Sequence, residues 1–205
     1  MDSTIAERRN LRIGAVVLAA GLSSRMGVNK LMLPLRGKPL VRHAVDAAAA
    51  GCCDPIIVVT GNGNEQIEAA LCDPRVRSAN NKNVSKGLSE SLKCGLKALP
   101  ADCEGVVVLL GDMPFVTPQL IDALIGAFDP VNGRAICAPT HRGRRGNPVL
   151  WARQFFPEML SLEGDAGAKQ LMIRHEAMLY ELDVADSGPM IDIDSPEDLA
   201  AYNAP

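Results

Sequence analysis

The sequence predicts a single α/β domain with a mostly parallel central sheet flanked by helices. Short apolar runs alternate with helical patterns along the whole chain, which is typical of that class. The runs at 13–19 and 105–110 (GVVVLL) lack polar alternation, as in strands that are covered on both faces. The length of 205 residues and the hydrophobic content of 47% suit one domain with a sizeable core. We expect that domain to span 12–205, after a flexible segment over 1–11.

The predicted elements follow a regular order as far as Gly133 and a less regular one after it. Before Gly133, strands are expected at 13–19, 55–60, 76–79 and 105–110, and helices at 38–50, 65–71, 86–98 and 118–128. Thr117 and Pro118 are residue types that favour the N-cap and the first position of a helix. Beyond Gly133, strands are expected at 135–139, 148–151, 178–182 and 190–193, and helices at 152–160, 166–176 and from Ser195 onward.

Composition excludes several classes of function. A formal charge of −3 and an aromatic content of 3% argue against binding a nucleic acid, which needs a basic face or stacking side chains. No apolar stretch reaches the ~18 residues of a membrane helix, and the charged N-terminus is unlike a signal peptide. The six cysteines include no C-x-x-C pair, which favours buried thiols. We therefore expect a cytoplasmic protein.

The loop after the first strand, 21–30 (GLSSRMGVNK), has the properties of a polyphosphate-binding loop. Gly21 lets the backbone approach a phosphate closely, and Ser23 and Ser24 add hydroxyl donors. Arg25 and Lys30 supply two positive charges to a ligand that carries several negative ones. The alternative is an ordinary glycine- and serine-rich turn with solvated charges. The loop matches neither the Walker A pattern G-x-x-x-x-G-K-[ST] nor the dinucleotide pattern G-x-G-x-x-G.

Carboxylates that suit a divalent metal follow two predicted strands. Asp112 follows the most apolar strand, at the edge where parallel sheets bind ligands, and Mg²⁺ takes one or two protein carboxylates. The alternative is a turn aspartate before Met113. A second ligand is expected at Asp192 or Asp194. We favour Asp192, because the helix start after Asp194 already explains that residue and alternate residues of a strand share a face.

Several motifs together resemble the sugar-phosphate and cofactor nucleotidyltransferases. Their loop, L-A-[AG]-G-x-[SG]-x-R-M-G-x-x-K-x-L, stands at 18–31 in this chain. Within that superfamily of MobA-like NTP transferases, the chain is most similar to the molybdenum cofactor cytidylyltransferase (MocA-like) group. Further motifs carry this resemblance over nearly the whole chain: 33–40 (LPLRGKPL), 81–95, 111–114 (GDMP), 143–149 (GRRGNPV), 164–168 (GDAGA) and 192–199 (DIDSPEDL).

The resemblance implies a Rossmann-like nucleotidyltransferase fold of the GT-A type and a specific reaction. In that reaction, CMP passes from CTP to the terminal phosphate of molybdopterin, with Mg²⁺ as cofactor, Mn²⁺ as its alternative and pyrophosphate as the second product. A client molybdoenzyme is a possible partner of such an enzyme. Two alternatives stay open: a relative that uses GTP or a sugar phosphate, and a maturation factor that binds the cofactor without transferring a nucleotide.

The resemblance and the topology together assign roles to individual residues. Arg25, Lys30 and Asp112 are the expected catalytic residues. The expected nucleotide contacts are Leu18, Ala19, Ala20, Gly21, Ser23, Ser24, Arg25, Lys30, Thr60, Gly61, Asn81, Gly87, Ser91 and Asp112, with Asn62 as a further candidate. Ala20 stands where relatives that transfer GMP have glycine, so its methyl group is expected to favour a pyrimidine base.

The acceptor site is expected around the basic segment 141–147. Arg144, Arg145 and Asn147 are the candidate ligands of the pterin phosphate, although a solvated hairpin explains the same residues. Many relatives have histidine where Asn147 stands, a departure that bears on acceptor recognition. Asp165 belongs to the G-D-x-G-A motif and is a fourth candidate, with a helix N-cap as its alternative.

Overall fold

The computed structural model describes residues 11–21, 29–61, 65–71, 73–164 and 168–203. These residues form one α/β domain with helices packed against a mostly parallel sheet, as predicted. The ten strands of these ranges are β1 (Ile13–Ala19), β2 (Pro34–Leu35), β3 (Lys38–Pro39), β4 (Ile56–Gly61), β5 (Val76–Asn81), β6 (Gly105–Leu110), β7 (Ile136–His141), β8 (Arg144–Arg145), β9 (Val149–Ala152) and β10 (Leu179–Asp183).

Seven α-helices occur in the described part of the chain. They are α1 (Leu40–Ala50), α2 (Glu65–Ala70), α3 (Leu88–Ala98), α4 (Pro118–Ala127), α5 (Phe156–Ser161), α6 (Lys169–Arg174) and α7 (Pro196–Asn203). The residue types predicted to start α4 do so, because the Thr117 side chain accepts a hydrogen bond from the Leu120 amide and Pro118 opens the helix. None of these helices is long and apolar enough to cross a membrane.

The strand order of the sheet is β10-β7-β9-β6-β1-β4-β5, and this order determines which strand ends lie side by side. Strand β1 is buried along its whole length and pairs in parallel with β4 on one side and β6 on the other. After β1 the chain continues to β4 on one side of the sheet, and after β6 it continues to β7 on the other side. Such a point in an open parallel sheet leaves a crevice in which ligands bind.

The antiparallel strand β9 brings a second set of loops to that same edge. Its register pairs Val149 with Val108 and Ala152 with Gly105 of β6. The residues just before Val149 therefore lie beside the carboxyl end of β6, where Asp112 follows. Strand β7 pairs antiparallel with β9 and so also ends at this edge. The basic segment 141–147 thus lies on the functional edge of the sheet.

The predicted strand at 190–193 is wrong. Gly188–Met190 form a 3-10 helix instead, and the following residues are irregular. The Gly188 amide donates to Asp186 Oδ1 at 2.6 Å, which turns the chain there. Beyond the turn, Ile193 makes a single backbone bond to Asp112 O rather than a ladder. The short β2–β3 hairpin was not predicted either, because two-residue strands give no periodicity.

The cysteines that the structure describes are free thiols, and Cys72 lies outside the described residues. Cys53, Cys103 and Cys137 are buried as predicted, whereas Cys94 is partly buried and Cys52 is exposed. Burial raises the pKa of both Cys53 and Cys137 to about 12. These two thiols are therefore protonated at neutral pH and contribute as small apolar core residues.

A glycine-to-alanine pair tests how tightly α3 packs on the sheet. A Cβ on Gly95 would meet Val59 Cγ2 at 3.0 Å and Val16 Cγ1 at a still shorter distance, whereas one on Gly126 in α4 would meet nothing within 4 Å. Alanine gains up to about 1 kcal/mol of helix propensity, but overpacking a core costs about 1–3 kcal/mol. We expect Gly95→Ala to lower the melting temperature and Gly126→Ala to keep or raise it. An equal rise in the melting temperature of both variants would contradict the close packing of Gly95 on the sheet.

Candidate active site

A cavity of about 420 Å³ opens at the carboxyl edge, where β1 and β6 diverge. Its residues come from the ends of these two strands, from the two ends of the 21–30 loop and from the start of α3 with the residues just before it. They are Leu18, Ala20, Gly21, Lys30, Leu31, Val84, Gly87, Leu88, Ser91, Leu110 and Asp112. The predicted nucleotide contacts Leu18, Ala20, Gly21, Lys30, Gly87, Ser91 and Asp112 therefore share one cavity.

Lys30 and Asp112 form an ion pair at the edge of this cavity. Lys30 begins a 3-10 helix whose first amide groups are capped by Asn29, since the Asn29 side chain accepts from the Leu31 amide. Its ammonium nitrogen lies 2.9 Å from Asp112 Oδ2, and the two side chains are only 18% and 23% exposed. Because both groups are largely shielded from water, their attraction is screened less than that of a surface pair.

Asp194 completes this cluster from the opposite end of the chain. Lys30 Nζ donates to Asp194 Oδ1 at 2.7 Å and to the Ile193 carbonyl at 3.1 Å. Burial lowers the pKa of Lys30, but the hydrogen bonds to Asp194 and Asp112 outweigh that effect and raise it above its usual value. The lysine is therefore a fixed positive charge held by at least three oxygens.

The favoured second ligand, Asp192, does not take part in this cluster. Its side chain is exposed and makes no hydrogen bond or ion pair with any described residue. Asp192 and Asp194 would share a face only in a strand, and the residues at 190–193 do not form one. The choice of ligand stays a prediction, and the geometry now favours Asp194, the alternative.

A capping box holds the backbone at Asp194. Asp198 Oδ2 accepts from the amides of Asp194 at 3.2 Å and of Ser195 at 2.9 Å, and the Asp198 amide donates to Ser195 Oγ. The hydrogen bond with the Ser195 side chain is the largest cause that lowers the pKa of Asp198, and the bonds from the Asp194 and Ser195 amides lower it further. The helix start therefore fixes the main chain that presents the Asp194 carboxylate.

The opposite wall of the cavity presents a hydroxyl group. The Asn83 amide donates to Asn81 Oδ1 at 2.8 Å, which orients the Asn81 side chain so that its Nδ2 donates to Ser91 Oγ at 3.0 Å. Since Ser91 Oγ already accepts this bond, its own hydrogen is available for another acceptor. Asn81 is buried and does not line the cavity, so it orients Ser91 rather than contacting a ligand directly.

Thr60 and Gly61 do not reach the cavity. Thr60 is fully buried and its hydroxyl donates to Glu68 Oε1 of α2 at 3.2 Å. Gly61 is buried and pairs with Asn81 between β4 and β5. The expectation that these residues contact the base is therefore not met by the described structure, because α2 uses the polar group at the end of β4.

The predicted acceptor segment 141–147 forms a hairpin whose charges are partly compensated. Arg145 makes ion pairs with Glu181 and, at 3.2 Å, with Glu176. Arg144 is exposed and pairs with His141 across the hairpin. The alternative from the sequence, a solvated hairpin, thus describes the backbone of 141–147 correctly. Arg145 does not offer an uncompensated charge to a phosphate, whereas the role of Arg144 stays a prediction.

Asn147 joins this hairpin to the segment that carries Asp194. Its amide donates to the Pro189 carbonyl at 3.0 Å. The preceding Gly146 packs so closely on Pro189 and Met190 that a Cβ would overlap them. The hairpin therefore packs directly on the 188–194 segment. An acceptor held by the hairpin would lie at a fixed position relative to the carboxylates of Asp112 and Asp194, which we call the acidic pair.

Four side chains behind the acidic pair, Arg36, Phe115, Tyr202 and Asn203, form what we call the rear clasp. The rings of Phe115 and Tyr202 lie 4.7 Å apart, and the Arg36 guanidinium covers Phe115 at 5.7 Å. Asn203 accepts from the Arg36 amide at 2.7 Å and donates to the carbonyl of Pro34. The clasp links the segments that carry Lys30, Asp112 and Asp194. Sequence reasoning missed it, because no local motif marks a contact between such distant segments.

Several predicted residues lie outside the described residues. They are Ser23, Ser24, Arg25, Asn62 and Asp165. Their roles stay predictions, as does that of Ala19, which is buried at the end of β1. Within the described ranges, no group of three or more His, Cys, Asp or Glu side chains is arranged to hold a metal ion.

Sequence reasoning also missed Val84 and Leu88 as walls of the cavity. The sequence feature that could have indicated Leu88 is its place directly after Gly87, at the start of α3. The structure shows that Leu88 is 40% exposed. An exposed leucine beside polar residues is uninformative by itself, because isolated exposed apolar residues are common.

Comparison with known proteins agrees with this geometry. A model of the MobA-like NTP transferase domain matches residues 15–178. The chain is 31% identical over 192 residues to the purine catabolism protein PucB of Bacillus subtilis, with 89% of this chain and 92% of that protein covered. It is 29% identical over 187 residues to the molybdenum cofactor cytidylyltransferase of Escherichia coli, with 91% and 93% covered.

A solved structure extends the similarity to three dimensions. Rv0371c from Mycobacterium tuberculosis superposes with a TM-score of 0.83 at 27% identity, covering 94% of this chain and 98% of that one. Its complex with manganese superposes with a TM-score of 0.77 at 25% identity, covering 94% and 97%. The central sheet and its flanking helices are thus shared along nearly the whole length.

Substitutions of Tyr202 test the rear clasp. An aromatic pair contributes about 0.5–1.5 kcal/mol beyond the area that it buries. Tyr202→Ala removes the ring that packs on Phe115, so we expect a lower melting temperature and faster amide hydrogen exchange in 196–203. Tyr202→Phe keeps the ring and is the matched control, with exchange close to that of the unaltered chain. Unchanged exchange in Tyr202→Ala would show that the clasp does not hold α7.

Proposed function

Because the chain belongs to the family of MobA-like NTP transferase domains, we propose that it is a molybdenum cofactor cytidylyltransferase. In this proposal it transfers CMP from CTP to the terminal phosphate of molybdopterin and releases pyrophosphate. The observation that carries the proposal is the cluster of Lys30, Asp112 and Asp194 beside a cavity that ends in the Ser91 hydroxyl. The similarity to the E. coli cytidylyltransferase over 91% of the chain supports the choice of substrates.

The acidic pair fits a divalent metal. Its two carboxylates and the Ile193 carbonyl already converge on one cation, the ammonium group of Lys30. Oxygen ligands of this kind suit Mg²⁺ and Mn²⁺, and manganese is present in a complex of Rv0371c. We assign Asp112 and Asp194 as the protein ligands. When bound, the metal supplies positive charge to the phosphate oxygens during transfer.

The proposed chemistry is an in-line displacement at phosphorus. An oxygen of the acceptor phosphate attacks the α-phosphorus of CTP, a new O–P bond forms, and the bond between the α-phosphorus and the bridging oxygen breaks as pyrophosphate leaves. The attacking phosphate is ionised at neutral pH, so no general base is required. Lys30 and Arg25 compensate the charge of the triphosphate, and the cavity positions the nucleotide for in-line attack.

The cavity supports a pyrimidine base. The hydroxyl of Ser91, oriented by Asn81, offers one donor to a carbonyl oxygen or ring nitrogen of the base. Ala20 is only 2% exposed and lines the cavity, so its methyl group narrows the space available to a purine. A single methyl group changes selectivity by about 1–3 kcal/mol, which biases the choice of nucleotide without excluding others.

The reaction is tested by measuring pyrophosphate release from CTP, UTP, GTP and ATP, each without acceptor, with molybdopterin or with a sugar phosphate, and with and without Mg²⁺. We expect release with CTP that requires both the acceptor and the metal. Preference for GTP would contradict the role of Ala20. Release with a sugar phosphate as acceptor would identify a different transferase of the family, and no acceptor-dependent release with any nucleotide would exclude the enzymatic proposal.

Single carboxamide substitutions distinguish the two candidate second ligands. Asp112→Asn and Asp194→Asn each remove one carboxylate charge of the proposed metal site, so we expect turnover to fall by about 100-fold or more, the scale of lost electrostatic stabilisation. Asp192→Asn changes the same charge at an exposed position two residues away and is the matched control. We expect its turnover to be unchanged. Loss of turnover in Asp192→Asn with retention in Asp194→Asn would reverse the assignment.

A further inference from the structure

The ammonium group of Lys30 lies where the acidic pair would hold a metal ion. It bonds Asp112 Oδ2, Asp194 Oδ1 and the Ile193 carbonyl at 2.9, 2.7 and 3.1 Å. These three oxygens come from segments that are 82 to 164 residues distant from Lys30 in the sequence. Three oxygens that converge on one cation form a cation site, and in this structure the cation is a side chain.

We propose that Lys30 is a tethered counter-ion that keeps free divalent cations out of the acidic pair. The metal then enters together with the triphosphate, when Lys30 changes partners from carboxylate to phosphate. The role of the triphosphate in this inference rests on the proposed function. Lys30 thereby makes the site accept the metal as a complex with the triphosphate and not as a free ion. It also neutralises phosphate charge.

Occupancy by the ammonium and by a metal ion is mutually exclusive. Mg²⁺ binds carboxylate oxygens at about 2.0–2.1 Å, so it needs the space between oxygens that Lys30 Nζ now fills. A divalent ion beside the ammonium group would also meet a like charge at short range in a partly shielded site. A free ion must therefore displace Lys30 at the expense of its ion pairs with Asp112 and Asp194.

The triphosphate provides the alternative partner that makes this displacement favourable. Lys30 lines the cavity together with Gly21, which opens the predicted phosphate loop. A lysine side chain is a flexible stem with a compact charge, so a rotation of its outer bonds moves the ammonium group by several ångströms. With a polyanion in the cavity, the charge of Lys30 stays compensated while the carboxylates become available to the metal.

A second lysine provides a matched control on the surface. Lys38 Nζ lies 2.7 Å from Asp46 Oδ2, with side chains 45% and 34% exposed. Substituting Lys38 removes the same charge and the same kind of ion pair. It leaves Asp46 with Arg42 as a partner and creates no pair of uncompensated carboxylates.

The test is a titration of the nucleotide-free protein with Mn²⁺, in which free Mn²⁺ is measured by electron paramagnetic resonance. We expect weak binding by the unaltered chain and by Lys38→Met. Lys30→Met is expected to bind one Mn²⁺ at least about tenfold more tightly, because its two carboxylates lose their counter-ion. A non-hydrolysable CTP analogue is expected to strengthen Mn²⁺ binding by the unaltered chain.

Two outcomes would overturn the proposal. One is Mn²⁺ binding by Lys30→Met that is no tighter than that of Lys38→Met, and the other is tight binding by the unaltered chain without nucleotide. Lys30→Gln serves as a second variant if Lys30→Met has a lowered melting temperature. Adding Asp194→Asn to Lys30→Met is expected to abolish the gain in Mn²⁺ affinity, which would locate the ion at the acidic pair. This titration needs no turnover, so its result and that of the pyrophosphate assay are independent.

Discussion

The ion pairs of Lys30 with Asp112 and Asp194 join three parts of the chain that no local interaction could bring together. Two carboxylates that converge on one point repel each other, and they are costly to hold side by side without a cation. The sheet makes this arrangement possible, since β1 and β6 end next to each other and the Ile193 amide binds the Asp112 carbonyl. The capping box, the rear clasp and the hairpin all serve to maintain this convergence.

Strong local periodicity explains which parts of the fold could be predicted. Strands β1 and β6 were predicted at their observed bounds, because continuous Val, Ile and Leu runs have few alternative structures. The segment at 190–193 has only an apolar alternation interrupted by Asp192, and it follows Gly188 and Pro189, which form a 3-10 turn instead of a ladder. Its single hydrogen bond to Asp112 is a tertiary contact, which a pattern of apolar residues does not encode.

The candidate site shows the same division between local and long-range information. Asp112, Lys30 and Ser91 were predicted, because motifs place them at strand ends or at a helix start beside the functional edge. Arg145 was expected to be available for a phosphate but pairs with Glu181 of β10, which lies on the other side of β7. The partner of a charged or polar side chain depends on which distant segment packs against it. That information is absent from the spacing of residues along the chain.

The C-terminal helix has a length that its two ends constrain. Its first turn fixes Asp194 through Asp198, and its last residue, Asn203, binds the β2–β3 hairpin. Each residue of an α-helix advances the chain by about 1.5 Å and rotates it by about 100°. Inserting or deleting one residue between Pro196 and Asn203 would therefore turn Asn203 away from the hairpin while leaving the helix itself intact. The contacts at both ends thus fix the length of α7, and homologues of this protein should differ in the composition of this helix far more readily than in its length.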